Sequence, residues 1–499
     1  MKNLFRKIRN YVTSNILLVL TFAFITFFNF YALPGDLFNA DQHFWFQRTT
    51  NFIKAIKKGE FADTFQNPKP GVTVMILSGA SLEAFWTIYE AVYKFRPLIY
   101  TQDTYAYIDF VVKAPLVFFA LVSYIIFYKF FSRIFGEKIS LVALLFLGLS
   151  PYYTAINRLF HGDGTMNSFF LISVVLLIYY FKKPERKFLI FSGIAGGAAF
   201  LAKSQAIFLI PYIFLISGLG FLILKVNVKD SLKTIGTWLS IFFITIYVLF
   251  PAMWGEPIKT FNKIFKEGMA VAQEGRNFEE GRNNIFYYFE TLPWIVNLVF
   301  LATAIVGLFV FIKNSKKIYK EDKFLFFAFV SILGVIIFYF TQMTLVVQKS
   351  DRYITVIMPY LAVFSGLALS KINFDFKKVY IALMVPSLIY ISYFAPYYLA
   401  LYEKDNWGSL SNVAADYLNQ KNKPENLNVV VTPKDHTLRP FFKGKIYNPG
   451  ETIPKNKQAD YLVLGTKELM PKKLTHCEFE KDIEFRGKLF WKIYNCQKK

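Results

Sequence analysis

The sequence predicts an all-α polytopic membrane protein with about 11 transmembrane helices and a small external C-terminal α/β domain. Three observations carry that prediction. The 499 residues are 55% hydrophobic and only 18% charged, which is too little charge to cover a soluble protein of this size. The apolar residues come in blocks close to the ~20 residues that a helix needs to cross a bilayer. The basic residues between the blocks fall on one side of a consistent threading.

The blocks run from Ile16 to Tyr31, Ala106 to Phe131, Ile139 to Ala155, Met166 to Phe181, Phe188 to Ala202 and Ala206 to Leu224. They continue with Ile235 to Pro251, Leu292 to Ile312, Phe324 to Phe340, Ile354 to Ser370 and Val379 to Ala400. Lys2, Arg6, Lys7 and Arg9 precede the first block and no small-residue cleavage site follows, so it reads as a signal anchor with a cytoplasmic N-terminus. The basic loops around Arg133 and Lys138, Lys182 to Lys187, Lys225 to Lys233, Lys313 to Lys323 and Lys371 to Lys378 then all fall inside. A twelfth apolar block, Val72 to Val92, would put every one of them outside if it crossed. It also holds Glu83 and Glu90, each costing about 2.5–3.5 kcal/mol at mid-bilayer. It reads as a juxtamembrane helix in the first external loop.

This threading divides the chain into a membrane module, residues 1–401, and an external soluble domain, residues 402–499. The module has external loops at 34–105, 152–165 and 252–291. In the soluble domain Ser409 to Gln420 has helical spacing, and Asn428 to Thr432, Asp460 to Gly465 and Glu484 to Tyr494 read as strands. A disulfide between Cys477 and Cys496 and two free thiols are both compatible with the sequence. Two cysteines exclude a zinc centre built from cysteine alone. The formal charge of +23 has a simpler source in the cytoplasmic loops than in nucleic-acid binding, since no basic stripe accompanies a binding fold.

The polar residues that need explaining lie at the external ends of the spans. Asp41 follows the first span among aromatics; as a bland alternative it caps the helix Gln42 to Lys57. Arg158, His161 and Asp163 share one short turn between two spans. Lys69, in Asn67-Pro-Lys-Pro-Gly71, Lys203 and Arg352 are cations on a side where basic residues are otherwise avoided, and several such cations converging suggest a phosphate. Two acids beside several cations suit sugar transfer from a lipid phosphate: cations stabilise the leaving phosphate, and a carboxylate takes the acceptor proton. One base acting without a covalent intermediate inverts the anomeric carbon. Trp45, Trp254 and Trp294 are available to stack on sugar rings.

In their order these motifs resemble the GT-C superfamily of polyprenyl-phosphate-dependent glycosyltransferases. The nearer likeness is to glycosyltransferase family 39, the protein O-mannosyltransferase and aminoarabinose transferase branch. Asp41-Gln42 stands where that family has an acidic Asp-Glu pair, and Lys69-Pro-Gly-Val-Thr73 stands at a His-Pro-Gly-Val-Thr-like stretch. Arg158, His161 and Asp163 match an Arg-x-x-x-His-x-Asp turn, Lys203 a lysine after a glycine-rich span, and Pro251-Ala-Met-Trp254 a Pro-Ala-x-Trp. Gly275-Arg-Asn-Phe278, Asp351-Arg-Tyr353 and Asn406-Trp-Gly408 complete the series.

The resemblance implies Asp41 as general base, with Asp163 orienting acceptor or sugar. Lys69, Arg158, Lys203 and Arg352 are implied to share the donor phosphates; Gln42, His161, Trp254, Asn277, Asp351 and Tyr353 are implied to line the substrate site. It departs from the family in two places: Gln42 replaces the second acid, and Lys69 replaces a histidine, although a lysine there is similar to the aminoarabinose branch. The implied partners are the bilayer, a polyprenyl-phosphate sugar and a lipid, glycan or protein acceptor. Metal dependence stays open, because Asp41 and Asp163 are compatible with one divalent ion such as Mg or Mn, or with none. The competing readings are a flippase for a lipid-linked glycan, which predicts internal repeats and mid-membrane acids, and an assembly subunit that has lost activity.

Overall fold

The computed structural model describes residues 15–35, 39, 41–99, 102–273, 285–372, 375–402, 410–433, 437–448, 458–466 and 468–497. Asn277 with its Gly275–Phe278 stretch, and Asn406-Trp-Gly408, lie outside the described residues.

The helices follow in order: α1 Ile16–Phe30, α2 Gln42–Lys58, α3 Val72–Tyr93, α4 Gln102–Phe135, α5 Glu137–Gly148, α6 Pro151–Arg158, α7 Gly162–Lys182, α8 Arg186–Ala202 and α9 Leu209–Leu224. Next come α10 Val228–Leu249, α11 Pro257–Gln273, α12 Tyr287–Val296, α13 Leu298–Glu321, α14 Lys323–Leu345, α15 Met358–Ser370 and α16 Phe376–Phe394. Among the described residues eight segments are long and apolar enough to cross a membrane, or nine if the pair α5 and α6, bent by 65°, counts as one. That is fewer than the eleven the sequence suggests. Every expected span does hold a helix, but α1, α8 and α16 are shorter or less apolar than the others. The Ile139 to Ala155 span is broken where Pro151 starts a new helix, whose Tyr153 N–H donates to the capping Ser150 hydroxyl.

One of the eight is α3, which the sequence reading keeps out of the membrane. Its partners are the ion-paired α2, through Lys57 and Glu83, and the first turns of α4, where the Ser78 and Ser81 hydroxyls donate to the Val112 and Val111 carbonyls at 2.8 Å. At 34 residues, α4 is ~51 Å long and overshoots a ~30 Å hydrocarbon core by several turns.

The centre of the bundle is α7, nearly all of whose residues are buried. Small residues permit the tightest contacts. A Cβ on Gly196 or Gly197 of α8 would come within 2.8 Å of Trp238 or 2.7 Å of Thr245 on α10, so these helices approach along a glycine face.

After the bundle, α17 (Ser411–Asn419) precedes a five-stranded sheet: β1 Asn428–Thr432, β2 Lys445–Tyr447, β3 Tyr461–Gly465, β4 Glu478–Phe485 and β5 Lys488–Asn495. The strand order is β2-β1-β3-β5-β4, with β2, β1 and β3 parallel and β5 and β4 antiparallel. Period-two alternation sends Val429, Val431 and Val463 towards Ala414 and Leu418 of α17, and Val430, Leu462 and Leu464 towards Leu474, Cys477 and Cys496. The two cysteines form a disulfide. The single strand expected over Glu484 to Tyr494 is instead a hairpin. Arg486 and Gly487 both take positive φ, 51° and 79°, the combination that turns two strands back on each other.

This domain rests on the membrane module through Phe441. The ring packs in the domain's own core and also against Tyr105 at 5.1 Å, edge to face, within a cluster holding Trp45, Phe46, Ile108 and Phe160. Beside it, Asn412 donates to the Gly35 carbonyl at 3.4 Å.

Candidate active site

One end of the bundle gathers most of the singled-out polar residues. The organising group is Asp163, in the first turn of α7 and fully buried. Two glycines bring it there. A Cβ on Gly162 would sit 2.6 Å from the Ala202 carbonyl oxygen, and one on Gly164 would sit 2.6 Å from the Ile156 oxygen. With no side chains in the way, α7 starts hard against the end of α8, and the Lys203 ammonium binds Asp163 Oδ1. Arg352 Nε lies 3.3 Å from Oδ2 of the same carboxylate. His161 Nδ1 lies 2.7 Å from Oδ2, and its Nε2 lies 3.6 Å from Asp41 Oδ2. The imidazole therefore bridges a buried acid and a partly exposed one.

Asp41 precedes α2, its backbone N–H donating to Asn39 Oδ1 at 3.0 Å. Burial opposes ionisation of its carboxyl. The hydrogen bond and charge of His161, with the charges of Arg352 and Arg48, outweigh that and hold it well below the usual carboxylate range. Lys69 sits in the turn before α3, its ammonium 3.1 Å from Gln348 Oε1. Burial, with the neighbouring charges of Lys203 and Arg352, pulls its pKa below the ordinary lysine value, partly opposed by Tyr353 and Asp163. Lys203 Nζ also stands 4.2 Å from the centre of the Tyr353 ring. Asp351 accepts from the Tyr287 hydroxyl at 2.6 Å. Asn167 of α7 donates to Thr355 Oγ1 at 2.8 Å, which ties the Arg352 segment to α7.

Two of the singled-out residues have their hydrogen-bond partners beside the cluster. Arg158 is buried and points away from the cluster: its Nη1 donates to the carbonyls of Phe28 and Asn29, both at 2.9 Å, at the end of α1. The guanidinium meets buried carbonyls at the negative end of a helix dipole. Gln42 has no exposed surface, and its amide donates to Asp109 Oδ1 at 2.7 Å and to the Tyr105 hydroxyl at 3.1 Å. Its side chain lies in the packed layer next to Asp41, bonded to α4.

Trp45 is buried too. It packs edge to face on His161, ring centres 5.3 Å apart, and covers Gly71, where a Cβ would lie 2.5 Å from the indole. Gly71 has φ +67°, which a side chain would strain in any case. Trp254 is exposed on one side and bonds the Tyr247 carbonyl at 2.8 Å. Arg48, Asn39 and the Asp109–Lys113 pair were missed from the sequence. The last pair had a visible signal: opposite charges one turn apart inside an apolar block.

Among the described residues no group of three or more His, Cys, Asp and Glu side chains is placed to hold a metal ion. Asp163, the acid best placed to share an ion with Asp41, is already engaged by Lys203, His161 and Arg352.

The fold is that of the GT-C glycosyltransferases. It is similar to the crystal structure of ArnT from Cupriavidus metallidurans bound to undecaprenyl phosphate, with a TM-score of 0.57 over 97% of this chain and 98% of that one, at 12% identity. The apo state of the same protein matches at 0.54 with the same coverage and identity. The oligosaccharyltransferase AglB from Archaeoglobus fulgidus, in complex with an inhibitory peptide and a dolichol-phosphate, is a looser match at 0.47, with 10% identity over 91% of this chain and 70% of that one. Residues 107–254 match the family model described as dolichyl-phosphate-mannose-protein mannosyltransferase. No curated protein sequence matches the chain.

Proposed function

We propose that this chain is an inverting glycosyltransferase that moves a sugar from a polyprenyl-phosphate donor to a hydroxyl acceptor, lipid, glycan or protein, at the external face of the cell membrane. The observation carrying this reading is the pairing of a partly exposed, ionised Asp41 with a group of cations in charge excess. Lys69, Lys203, Arg352 and Arg48 stand against Asp41 and Asp163, four positive charges to two negative, with Arg352 acting on both acids, Lys203 and Lys69 on Asp163, and Arg48 on Asp41. A phosphate group fills that excess.

In this mechanism Asp41 takes the proton from the acceptor hydroxyl as its oxygen attacks the anomeric carbon. The bond from that carbon to the phosphate oxygen breaks on the opposite face, and its electron pair leaves on the polyprenyl phosphate. Lys69, Lys203 and Arg352 meet the charge that develops there. Asp163 holds two of those cations and the His161 ring in place. The cytoplasmic N-terminus and external site follow from the basic loops, and the Cys477–Cys496 disulfide fits an oxidising outer compartment. On this reading α3 lies along the outer surface and does not cross, residues 1–401 form the catalytic module, and residues 402–499 form the external domain.

The test supplies purified protein in lipid with radiolabelled polyprenyl-phosphate sugars and a membrane extract as acceptor source, following release of free polyprenyl phosphate. Wild type should turn over. Asp41→Asn should fall by at least ~10²-fold in kcat with donor binding retained. Donor binding with no turnover of any sugar by wild type would overturn the assignment in favour of a flippase or an inactive subunit.

A further inference from the structure

We propose that the buried ion pair Asp109–Lys113 is a positioning element that acts through Gln42 and Asn39 to fix Asp41. The inference rests on Asp41 being the base. Lys113 Nζ donates to Asp109 Oδ2 at 2.8 Å, and the Gly35 N–H donates to the same oxygen at 2.9 Å. Asp109 Oδ1 accepts from Gln42 Nε2 at 2.7 Å, Gln42 Oε1 accepts from Asn39 Nδ2 at 3.3 Å, and Asn39 Oδ1 accepts from the Asp41 N–H at 3.0 Å. Every side chain from Lys113 to Asn39 is sealed from solvent.

The ion pair belongs to α4, whereas Gly35, Asn39, Gln42 and Asp41 all belong to the segment after α1. One rigid helix therefore anchors the segment that carries the base. A charge pair withdrawn from water is costly and weak evidence for stability. Its use here is geometric: it presents a carboxylate to Gly35 and Gln42, on either side of Asn39 and Asp41.

The chain also accounts for the residue at position 42. That side chain must accept from Asn39 at one atom and donate to a carboxylate at another, which a glutamine amide does and an ionised glutamate cannot. A glutamate would place two carboxylates where the amide and Asp109 now meet. The acid that the resemblance leads one to look for at position 42 stands at Asp109, on the neighbouring helix.

The test compares the full chain in lipid with Gln42→Leu, Gln42→Glu, Asp109→Asn and the exchange variant Gln42→Glu/Asp109→Asn, in which amide and carboxylate trade places. Gln42→Leu leaves the ion pair whole, which guards against misfolding of the Asp109 variant. Each single variant should lose about tenfold to a hundredfold in kcat, since a displacement near 1 Å is enough for that, with donor KM little changed. The exchange variant should regain most of the loss. Hydrogen exchange of the peptide around Asp41 is read in parallel: faster in the single variants, restored in the exchange variant, and unchanged in α7. If wild type turns over no donor, the catalytic assignment fails, and the exchange pattern alone decides whether the pair fixes the loop. Unaltered protection around Asp41 in Gln42→Leu, or an exchange variant no better than its worse parent, overturns the proposal.

Discussion

Gly162 meets the Ala202 carbonyl so closely that a Cβ would sit 2.6 Å from the oxygen, and this contact sets the start of α7 beside Lys203. Gly162→Ala must push α7 and α8 apart or distort the turn. Overpacking of this kind costs about 1–3 kcal/mol, and it should also loosen the Asp163–Lys203 pair. Thermal unfolding in lipid should shift down and turnover should fall with it. Gly218→Ala on α9, where nothing lies within 4 Å, should leave both unchanged.

The pH profile separates the two charged groups nearest the proposed chemistry. The folded-state pKa of Asp41 is depressed. Its stabilising contribution is therefore present above the unfolded carboxylate value and is lost only as pH falls through the lower folded value. Between about pH 7 and pH 5 Asp41 stays ionised, so an activity loss in that range belongs to another group. A kcat profile in which the acidic limb vanishes when Asp41 is replaced by Glu would contradict this.

Lys69 is shifted the other way in effect: its lowered pKa means the ammonium deprotonates below the ordinary lysine value of about 10.4. Donor KM should rise on the alkaline side earlier than a free lysine would allow. Lys69→Arg should move that limb upward, because a guanidinium with pKa above ~12 keeps its charge. Titrating KM for both proteins with one donor checks the shift.

Arg158 predicts a structural phenotype. Arg158→Met removes two charge-assisted bonds to the end of α1, which together amount to roughly 3 kcal/mol or more. The melting temperature should drop while the protein that remains folded keeps its donor KM. A raised donor KM at unchanged stability would return Arg158 to the phosphate site.

Cys477→Ser opens a disulfide whose ends are 19 residues apart, a closure that corresponds to about 3 kcal/mol in the chain-entropy account. The sheet domain should become more sensitive to protease, as limited digestion would show.

Much of the arrangement was legible in the sequence for two reasons. The bilayer enforces long apolar blocks, and cations at the span ends expected to face outward need a partner, which brought Lys69, Lys203 and Arg352 forward beside Asp41 and Asp163. Pattern alone could not separate Arg158 from Lys203. Each is a cation close to a helix end, and only the fold shows that one faces carbonyls of α1 and the other an acid. Pattern could not show either that the side chain of Gln42 turns to α4 while its neighbour Asp41 faces His161. The hairpin at Arg486–Gly487 was hidden because alternation continues on both sides of the turn.

Phe441 also has a consequence for the order of events during biosynthesis. The ring that completes the packing around Tyr105 belongs to a part of the polypeptide made after all the helices of the bundle. A nascent chain can insert all its helices and still lack the wedge that seals the layer beneath its acid-bearing segment. Under the proposed function, turnover should therefore await the docking of the sheet domain.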